Sequence, residues 1–392
     1  MALRVPIPAA LRSHQSRKCS VIGSTGGIKV RASVKQRRKG TGISPDFSPF
    51  LTDPEEIASR FGLEITVLEL ERLFKEASGD PLLPQLCGPS HPSLASGFSG
   101  RPVRVAYQGV RGSYCQEAAV KAFSSVCTAF PCNHMEDAFQ ALEEKTADRA
   151  IIPVENSIDG PIDRNFDLLL RHGGIDIVGE LILPVNHCLL AVKGSSRSDL
   201  KRIVSHPQAL SHCKAKLETL CLEIDEVPNS ADAAKFISEN QISDTAVIGS
   251  KMAAREFGLQ VLEQNVQDQI CNFNRFLQLG LEPAPLLQGK EKKPTEWKTT
   301  VAFSLEKGVS DLFRALFLFQ SRNVTVTRVE HRPNRSNPVR VVEKETGDFR
   351  YFDYVFILDL EGRVSDPGVE SGLTRLKEIT GFVRVLGSYP LI

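Results

Sequence analysis

The stretch from Asp148 to Gly174, DRAIIPVENSIDGPIDRNFDLLLRHGG, constrains the fold of this chain more than any other. Ala150 to Val154 is an apolar run of the length of a buried strand. Glu155, Asn156 and Ser157 follow at its carboxyl end. Asp159, Gly160 and Pro161 then read as a helix start. Asp159 or Gly160 serves as the cap, Pro161 suits the first helical position because its missing N–H is no loss there, and Asp163 complements the positive helix end. Ile162, Phe166, Leu169 and Leu170 recur at helical spacing and form one buried face, and Gly173 stops the helix. The pattern predicts a polar Glu-Asn-Ser corner beside a helix N-terminus, where free backbone N–H groups hold an anion. Binding sites gather at the carboxyl ends of strands. The same residues also read as an ordinary strand-to-helix turn.

The flanking sequence repeats this alternation. Strands are expected at Val103–Tyr107, Ile175–Leu183, Asn186–Val192, Ile203–Ser205 and Ala246–Gly249, and helices at Tyr114–Phe123, Met135–Lys145, Ala231–Glu239 and Ser250–Phe257. A tight turn covers Gly109–Ser113, and a helix starts within His206–Leu210. Such alternation predicts an α/β architecture with mainly parallel sheets. After a break at Pro285–Pro294, the order becomes strand (Thr299–Ser304), helix (Asp311–Ser321), strand (Val324–His331), strand (Tyr351–Leu360), helix (Val369–Ile379), strand (Val383–Tyr389). That is a βαββαβ ferredoxin-like unit.

Charge divides the chain. Residues 1–45 hold ten Lys or Arg and no acid, and the remainder carries 38 basic and 47 acidic residues, a net charge of −9. The acidic remainder argues against a nucleic-acid surface. An Arg-, Lys- and Ser-rich, acid-free leader resembles an organelle transit peptide, with a processing neighbourhood at VRAS around Ala32. Residues 46–100 read as a helix capped by Asp53, running towards Ala77, followed by a Pro-, Gly- and Ser-rich linker. No apolar run approaches the roughly 18 residues of a membrane span. The nine cysteines are scattered without a CxxC pair, and the eight histidines show no metal-ligand spacing, so neither a disulfide framework nor a zinc site is expected. Taken alone, Cys127, Cys132, His206 and His212 read as ordinary core or surface residues.

Several motifs, in order, resemble the prephenate dehydratase family: VAYQGVRGSYCQEAA (Val105–Ala119), VENSIDG (Val154–Gly160), RNFDLLLRH (Arg164–His172), NHCLLAV (Asn186–Val192), SHPQAL (Ser205–Leu210) and NRFL (Asn274–Leu277). The end of the chain, with RVLGSYP (Arg384–Pro390), resembles that family's ACT domain. RNFDLLLRH, LGSYP and the leader point to its plant branch, the arogenate dehydratases. The resemblance spans Arg101 to Pro390. It implies a leader at 1–45 removed in the chloroplast stroma, a two-lobed catalytic domain at 101–283 built like a type II periplasmic binding protein, a linker at 284–297 and an ACT domain at 298–392 that binds phenylalanine. It further implies a homodimer or homotetramer, no cofactor or metal, and no nucleic-acid or membrane partner.

The implied reaction takes the ring carboxylate of arogenate or prephenate off as CO2 and the C4 hydroxyl off as water, giving phenylalanine or phenylpyruvate. Carboxylates must be held and the leaving hydroxyl must receive a hydrogen bond or proton. By resemblance, Asn274, Arg275 and Phe276 are the catalytic set, with Arg275 a candidate bidentate partner for a carboxylate or a structural ion pair. Gly112, Ser113, Glu155, Asn156, Ser157, Gly160, His206 and Gln208 are the substrate-binding set. Ser310, Asp311, Leu312, Glu330, His331, Arg332 and Pro333 are the effector set. The chain departs from the family pattern at several of these positions. Asn274 stands where Thr is usual, Pro161 where Ser or Thr follows the glycine, and Cys115 where Ser or Thr is usual. Ser310-Asp311-Leu312 replaces a Gly-Ala-Leu-like run, and His331 the Ser of Glu-Ser-Arg-Pro. The alternative to a dehydratase is a catalytically weak relative acting as a phenylalanine-binding or regulatory subunit. A solute-binding protein fits neither the C-terminal unit nor the leader.

Overall fold

The computed structural model describes residues 102–123, 127–281, 296–344 and 347–391. The leader, the helix expected from Asp53 and both linkers lie outside the described residues, apart from Glu296 and Trp297 at the end of the second.

The first lobe is built from β1 (Arg104–Gln108), α1 (Tyr114–Phe123), β2 (Thr128–Cys132), α2 (Met135–Glu143), β3 (Arg149–Asn156), β4 (Gly160–Pro161), α3 (Asp163–Arg171) and β5 (Asp176–Pro184). The second lobe follows with β6 (Cys188–Ala191), β7 (Arg202–Ser205), α4 (Pro207–Ser211), α5 (Lys214–Leu220), β8 (Glu223–Glu226), α6 (Ser230–Glu239), β9 (Thr245–Gly249), α7 (Lys251–Glu256) and β10 (Gln260–Gln264). β11 (Phe273–Gly280) then returns to the first sheet, between β3 and β5. The chain therefore crosses between lobes twice, at Val185–His187 and again at Asn265–Asn272, and Val185 N–H donates to Asn272 C=O at 2.8 Å to tie the crossings together.

The sheets are mixed, which corrects the expectation of mainly parallel sheets. In the first, β2–β1 and β1–β3 are parallel while β3–β11 and β11–β5 are antiparallel; in the second, β9–β7 and β7–β8 are parallel while β10–β6 and β6–β9 are antiparallel. The returning chain causes this, because a strand that closes back from the other lobe arrives in the opposite direction.

The corner in the opening stretch also differs from its reading. Gly160 and Pro161 do not start a helix. They pair antiparallel with Asn156 and Glu155 as a short hairpin, with Gly160 at φ +85°, a conformation that favours glycine. α3 begins two residues later, at Asp163, behind Ile162. Phe166, Leu168 and Leu169 are buried from it, as are Asn165 and Asp167, whereas Leu170 is only partly so.

The C-terminal unit consists of β12 (Trp297–Leu305), α8 (Leu312–Gln320), β13 (Val326–Pro333), β14 (Val339–Lys344), β15 (Gly347–Phe352), β16 (Tyr354–Glu361), α9 (Pro367–Leu376) and β17 (Thr380–Pro390). Its four-stranded sheet has the order β13-β16-β12-β17, the ferredoxin-like arrangement, and β14–β15 is an inserted hairpin outside that sheet. One face of the sheet packs on α8 and α9 through Phe303, Phe319, Leu358 and Leu373. The other shares the first lobe's core: Ala302, Ile357, Leu386 and Tyr389 lie in one cluster with Phe139, Leu168, Leu169 and Ile177. A Cβ on Gly387 would run into the Ile177 carbonyl, so β17 and β5 approach as closely as backbone allows. Arg384 reaches across to the end of α3 and donates to the carbonyls of Leu169, His172 and Ile175.

Candidate active site

Between the lobes lies a cavity of about 580 Å³. Strand alternation decides what enters it. Asn156 and Asn274 pair across β3 and β11 and face the cavity; Glu155 and Arg275 pair one step along and face the other way. Ser113, Gly112, His206, Gln208 and Phe276 also line it, so seven of the expected site residues meet there. Four helix starts converge on the same walls: Ser113 ahead of α1, His206 capping α4, Asn229 capping α6 and Ser250 capping α7. Their side chains accept from helix-start N–H groups, Ser113 from Gln116, His206 from Gln208, Asn229 from Ala231 and Ser250 from Ala253. Each helix start adds a positive end to the cleft. Among the described residues lining the cavity there is no Lys or Arg. The positive character of this lining therefore comes from backbone amides and helix starts.

Arg275 departs from its expected role. It is turned away from the cavity, into a buried node with the C-terminal unit. Its Nε and Nη2 donate to Glu180 at 3.0 and 2.8 Å, and Nη2 donates to Asp359 at 2.7 Å. Lys298 completes the node on Glu180 at 2.6 Å. Burial opposes the charge on Arg275, but Asp359 and Glu180 outweigh it and hold the guanidinium firmly protonated. Of the two roles open to Arg275, the structural ion pair is the one observed.

Glu155 likewise lies outside the cavity. It accepts from Arg328 of β13 at 2.8 Å, and Arg328 also donates to Glu330. Ser157 braces the second crossing by accepting from Phe273 N–H at 2.9 Å. Gly160 serves the hairpin turn. Gly112 lines the cavity but at a packing point: at φ +82°, a Cβ there would lie 2.9 Å from both Ala253 Cα and the Phe257 ring. Ser250 Oγ donates to the Gly112 carbonyl at 2.8 Å, so this contact joins the lobes. Cys115 is a neutral thiol in the wall, its pKa pushed up to about 12 by burial.

The effector set divides. Glu330 pairs with Arg328, and Arg332 donates to Asp167 at 2.9 Å and pairs with Asp163 at 2.7 Å, so both serve the contact with the first lobe. His331 packs edge-on to Tyr354, and Pro333 ends β13. Ser310, Asp311 and Leu312 lie at the turn into α8, where buried Asp311 pairs with Arg314.

Sequence reasoning missed a polar chain at the crossings. Asn156 Oδ1 accepts from the N–H groups of Ile158 and Asp159, so its Nδ2 faces Asn272 Oδ1 and Asn274 Oδ1, each at 2.8 Å. Asn272 Nδ2 then donates to His212 Nδ1 at 3.1 Å. His212 Nε2 donates to Asp159 at 2.9 Å, and Gln208 Nε2 donates to the same carboxylate oxygen. His187 Nε2 meets His212 Nδ1 at 3.4 Å, and Tyr114 Oη meets His187 Nδ1 at 3.0 Å. Burial, with His212 as a second influence, lowers the pKa of His187 to about 4 and keeps its ring neutral. Asp159 belongs to the opening stretch and His187 to NHCLLAV, but no spacing relates these residues. With Oδ1 of Asn274 occupied, its Nδ2 is the amide group left for a ligand.

Two α/β lobes, a cleft walled by helix starts and a ferredoxin-like C-terminal unit define a two-lobed binding fold whose cleft suits a small anionic ligand. Comparison with known proteins narrows this class. Residues 105–284 match the prephenate dehydratase family model. The chain is 43% identical over 326 residues to "Arogenate dehydratase/prephenate dehydratase 6, chloroplastic" of Arabidopsis thaliana, covering 81% of this chain and 77% of that one. Among solved structures it is similar to a prephenate dehydratase from Arthrobacter aurescens in complex with L-Phe, at 27% identity and TM-score 0.63, covering 74% of this chain and 90% of that one. It is also similar to a protein described as a novel type of quorum quenching acylase, at 28% identity and TM-score 0.62, covering 74% of this chain and 98% of that one. The chain belongs to the arogenate and prephenate dehydratase family.

Proposed function

We propose that the chain is a carbon–oxygen lyase that dehydrates and decarboxylates arogenate or prephenate to L-phenylalanine or phenylpyruvate. The observation that carries this reading is the convergence of Ser113, Asn156, His206, Gln208 and Asn274 on one cavity whose helix starts suit carboxylates. The substrate carboxylates sit against these positive ends. The Asn274 amide donates to the departing C4 oxygen, where charge develops as the C–O bond breaks. Aromatisation drives the step, which is redox-neutral and calls on no cofactor.

Asn274 also favours the second reading, a weak or regulatory relative. An amide donates a hydrogen bond but is not a usable acid, whereas the Thr usual in the family presents a hydroxyl. A coupled assay of the full chain with arogenate and with prephenate separates the two. Turnover of either supports the enzyme; folded protein that binds phenylalanine without turnover supports the regulatory subunit.

The C-terminal unit is assigned as an ACT domain binding phenylalanine as effector, supported by its strand order and by the L-Phe complex of the Arthrobacter relative. A chloroplast location is supported by the relatives named chloroplastic; within it we further propose action in the stroma, after removal of residues 1–45, as a homodimer or homotetramer.

A further inference from the structure

The polar chain at the crossings has a direction, and the direction reaches the cavity. It starts from backbone. The Ile158 and Asp159 N–H groups can only donate, so Asn156 presents Oδ1 to them and Nδ2 to Asn272. Asn272 therefore presents Oδ1 to Asn156 and Nδ2 to His212 Nδ1. His212 Nδ1 must be an acceptor, which places the His212 proton on Nε2, facing the Asp159 carboxylate. His212 Nδ1 has one lone pair, already engaged by Asn272, so His187 Nε2 at 3.4 Å shares it only weakly; a proton on His187 Nε2 is the arrangement that avoids two facing lone pairs. A neutral His187 then has a bare Nδ1, and the Tyr114 hydroxyl donates its only proton to it. What remains on Tyr114 Oη is lone pairs, and Tyr114 lines the cavity.

We propose that the Tyr114 hydroxyl, held as an acceptor by His187, His212 and Asp159, is the group that selects an amino over a keto function in the ligand's side chain. An ammonium has three donors and no acceptor; a keto oxygen has only lone pairs. The first satisfies Tyr114 Oη, and the second is set against it. The chain ends on a carboxylate, which favours a cation at its other end. The ligand chemistry selected is a zwitterionic amino acid, arogenate rather than prephenate. The assignment rests on the dehydratase reading and names the residue that sets its substrate preference. Tyr114 is the contact residue; His187, His212 and Asp159 are positioning residues.

The test measures binding of arogenate and of prephenate to the full chain by calorimetry, with kcat/KM for each where turnover occurs, in the wild type, Tyr114→Phe and Asp159→Asn. A hydrogen bond to a charged group corresponds to about a 10- to 100-fold effect. Tyr114→Phe lowers the arogenate-to-prephenate ratio by about that factor, through arogenate affinity, and leaves prephenate unchanged or better bound. Asp159→Asn, at a part-exposed turn, shifts the ratio the same way by a smaller factor. A ratio unchanged in both variants, or equal losses for both ligands, overturns the assignment and leaves the dehydratase reading standing. Failure of the wild-type chain to bind either ligand overturns both.

Discussion

Asn274 and Arg275 are adjacent in sequence and serve opposite faces of β11. Asn274 Oδ1 accepts from Asn156 Nδ2 at 2.8 Å on the cavity side, while Arg275 Nη2 donates to Asp359 at 2.7 Å in the C-terminal unit. One dipeptide thus joins the cleft to the domain packed beneath it, and the two residues require different tests.

Arg275→Ala leaves Asp359 without its cation and Glu180 with Lys298 alone, at sites where the two carboxylate side chains are only 3% and 10% exposed. Removing one member of a buried charge network typically costs about 3–5 kcal/mol. Chemical denaturation is expected to show a loss of that size. A loss under about 1 kcal/mol would mean that the node is solvated in solution.

His187 links stability to pH. Its folded pKa of about 4 lies below the ordinary value of 6.5, so the unfolded chain binds the proton more readily. This contribution is fully present above pH 6.5 and is lost as pH falls towards 4, by an amount on the order of 3 kcal/mol. Denaturation midpoints measured across that window are expected to fall with pH, and His187→Gln is expected to flatten the slope. Parallel curves for the two proteins would contradict the buried, neutral ring.

Gly112→Ala places a Cβ against Ala253 and Phe257 and forces a side chain into a left-handed conformation. A cost of about 1–3 kcal/mol is expected from the backbone alone. Because the contact joins the lobes, ligand affinity should weaken together with stability. A thermal melt with and without substrate reads both effects.

Much of the scaffold is legible from sequence, because local pattern and tertiary environment agree there. α1 spans Tyr114–Phe123, the range that its pattern predicts, and the buried strands β3 and β9 are built on the apolar runs Ala150–Val154 and Ala246–Gly249. The start of α3 is misread because Gly160 and Pro161 suit a helix start and a hairpin equally well. The choice falls to pairing with Glu155 and Asn156, a tertiary event. β2 escapes notice because it is a half-exposed edge strand containing Pro131, and the β14–β15 hairpin because its residues lie on a two-stranded ribbon without a buried face.

In the site, the motifs identify the cavity-facing residues but not which way each side chain turns. Glu155 and Arg275 sit inside motifs yet face the C-terminal unit, since a period of two sends neighbours to opposite faces. The chain from Asp159 to Tyr114 is assembled from four separate segments, and no one-dimensional spacing reveals it.

Asn274→Thr exchanges an amide donor for a hydroxyl on the cavity wall. If Thr is the better donor to the leaving oxygen, kcat rises, by up to about 100-fold, with little change in substrate KM. An unchanged kcat in an active enzyme would mean that hydrogen bonding by Asn274 already supplies what the step needs.

A dehydratase active site in the cavity between the lobes turns over its substrate, and loses that turnover when the cavity wall is cut back. The full chain is incubated with arogenate and, separately, with prephenate, and phenylalanine and phenylpyruvate are quantified against an Asn156→Ala variant. Product is expected from at least one substrate, with its loss in the variant. Folded protein that forms neither product, or equal product from both proteins, would contradict the dehydratase reading.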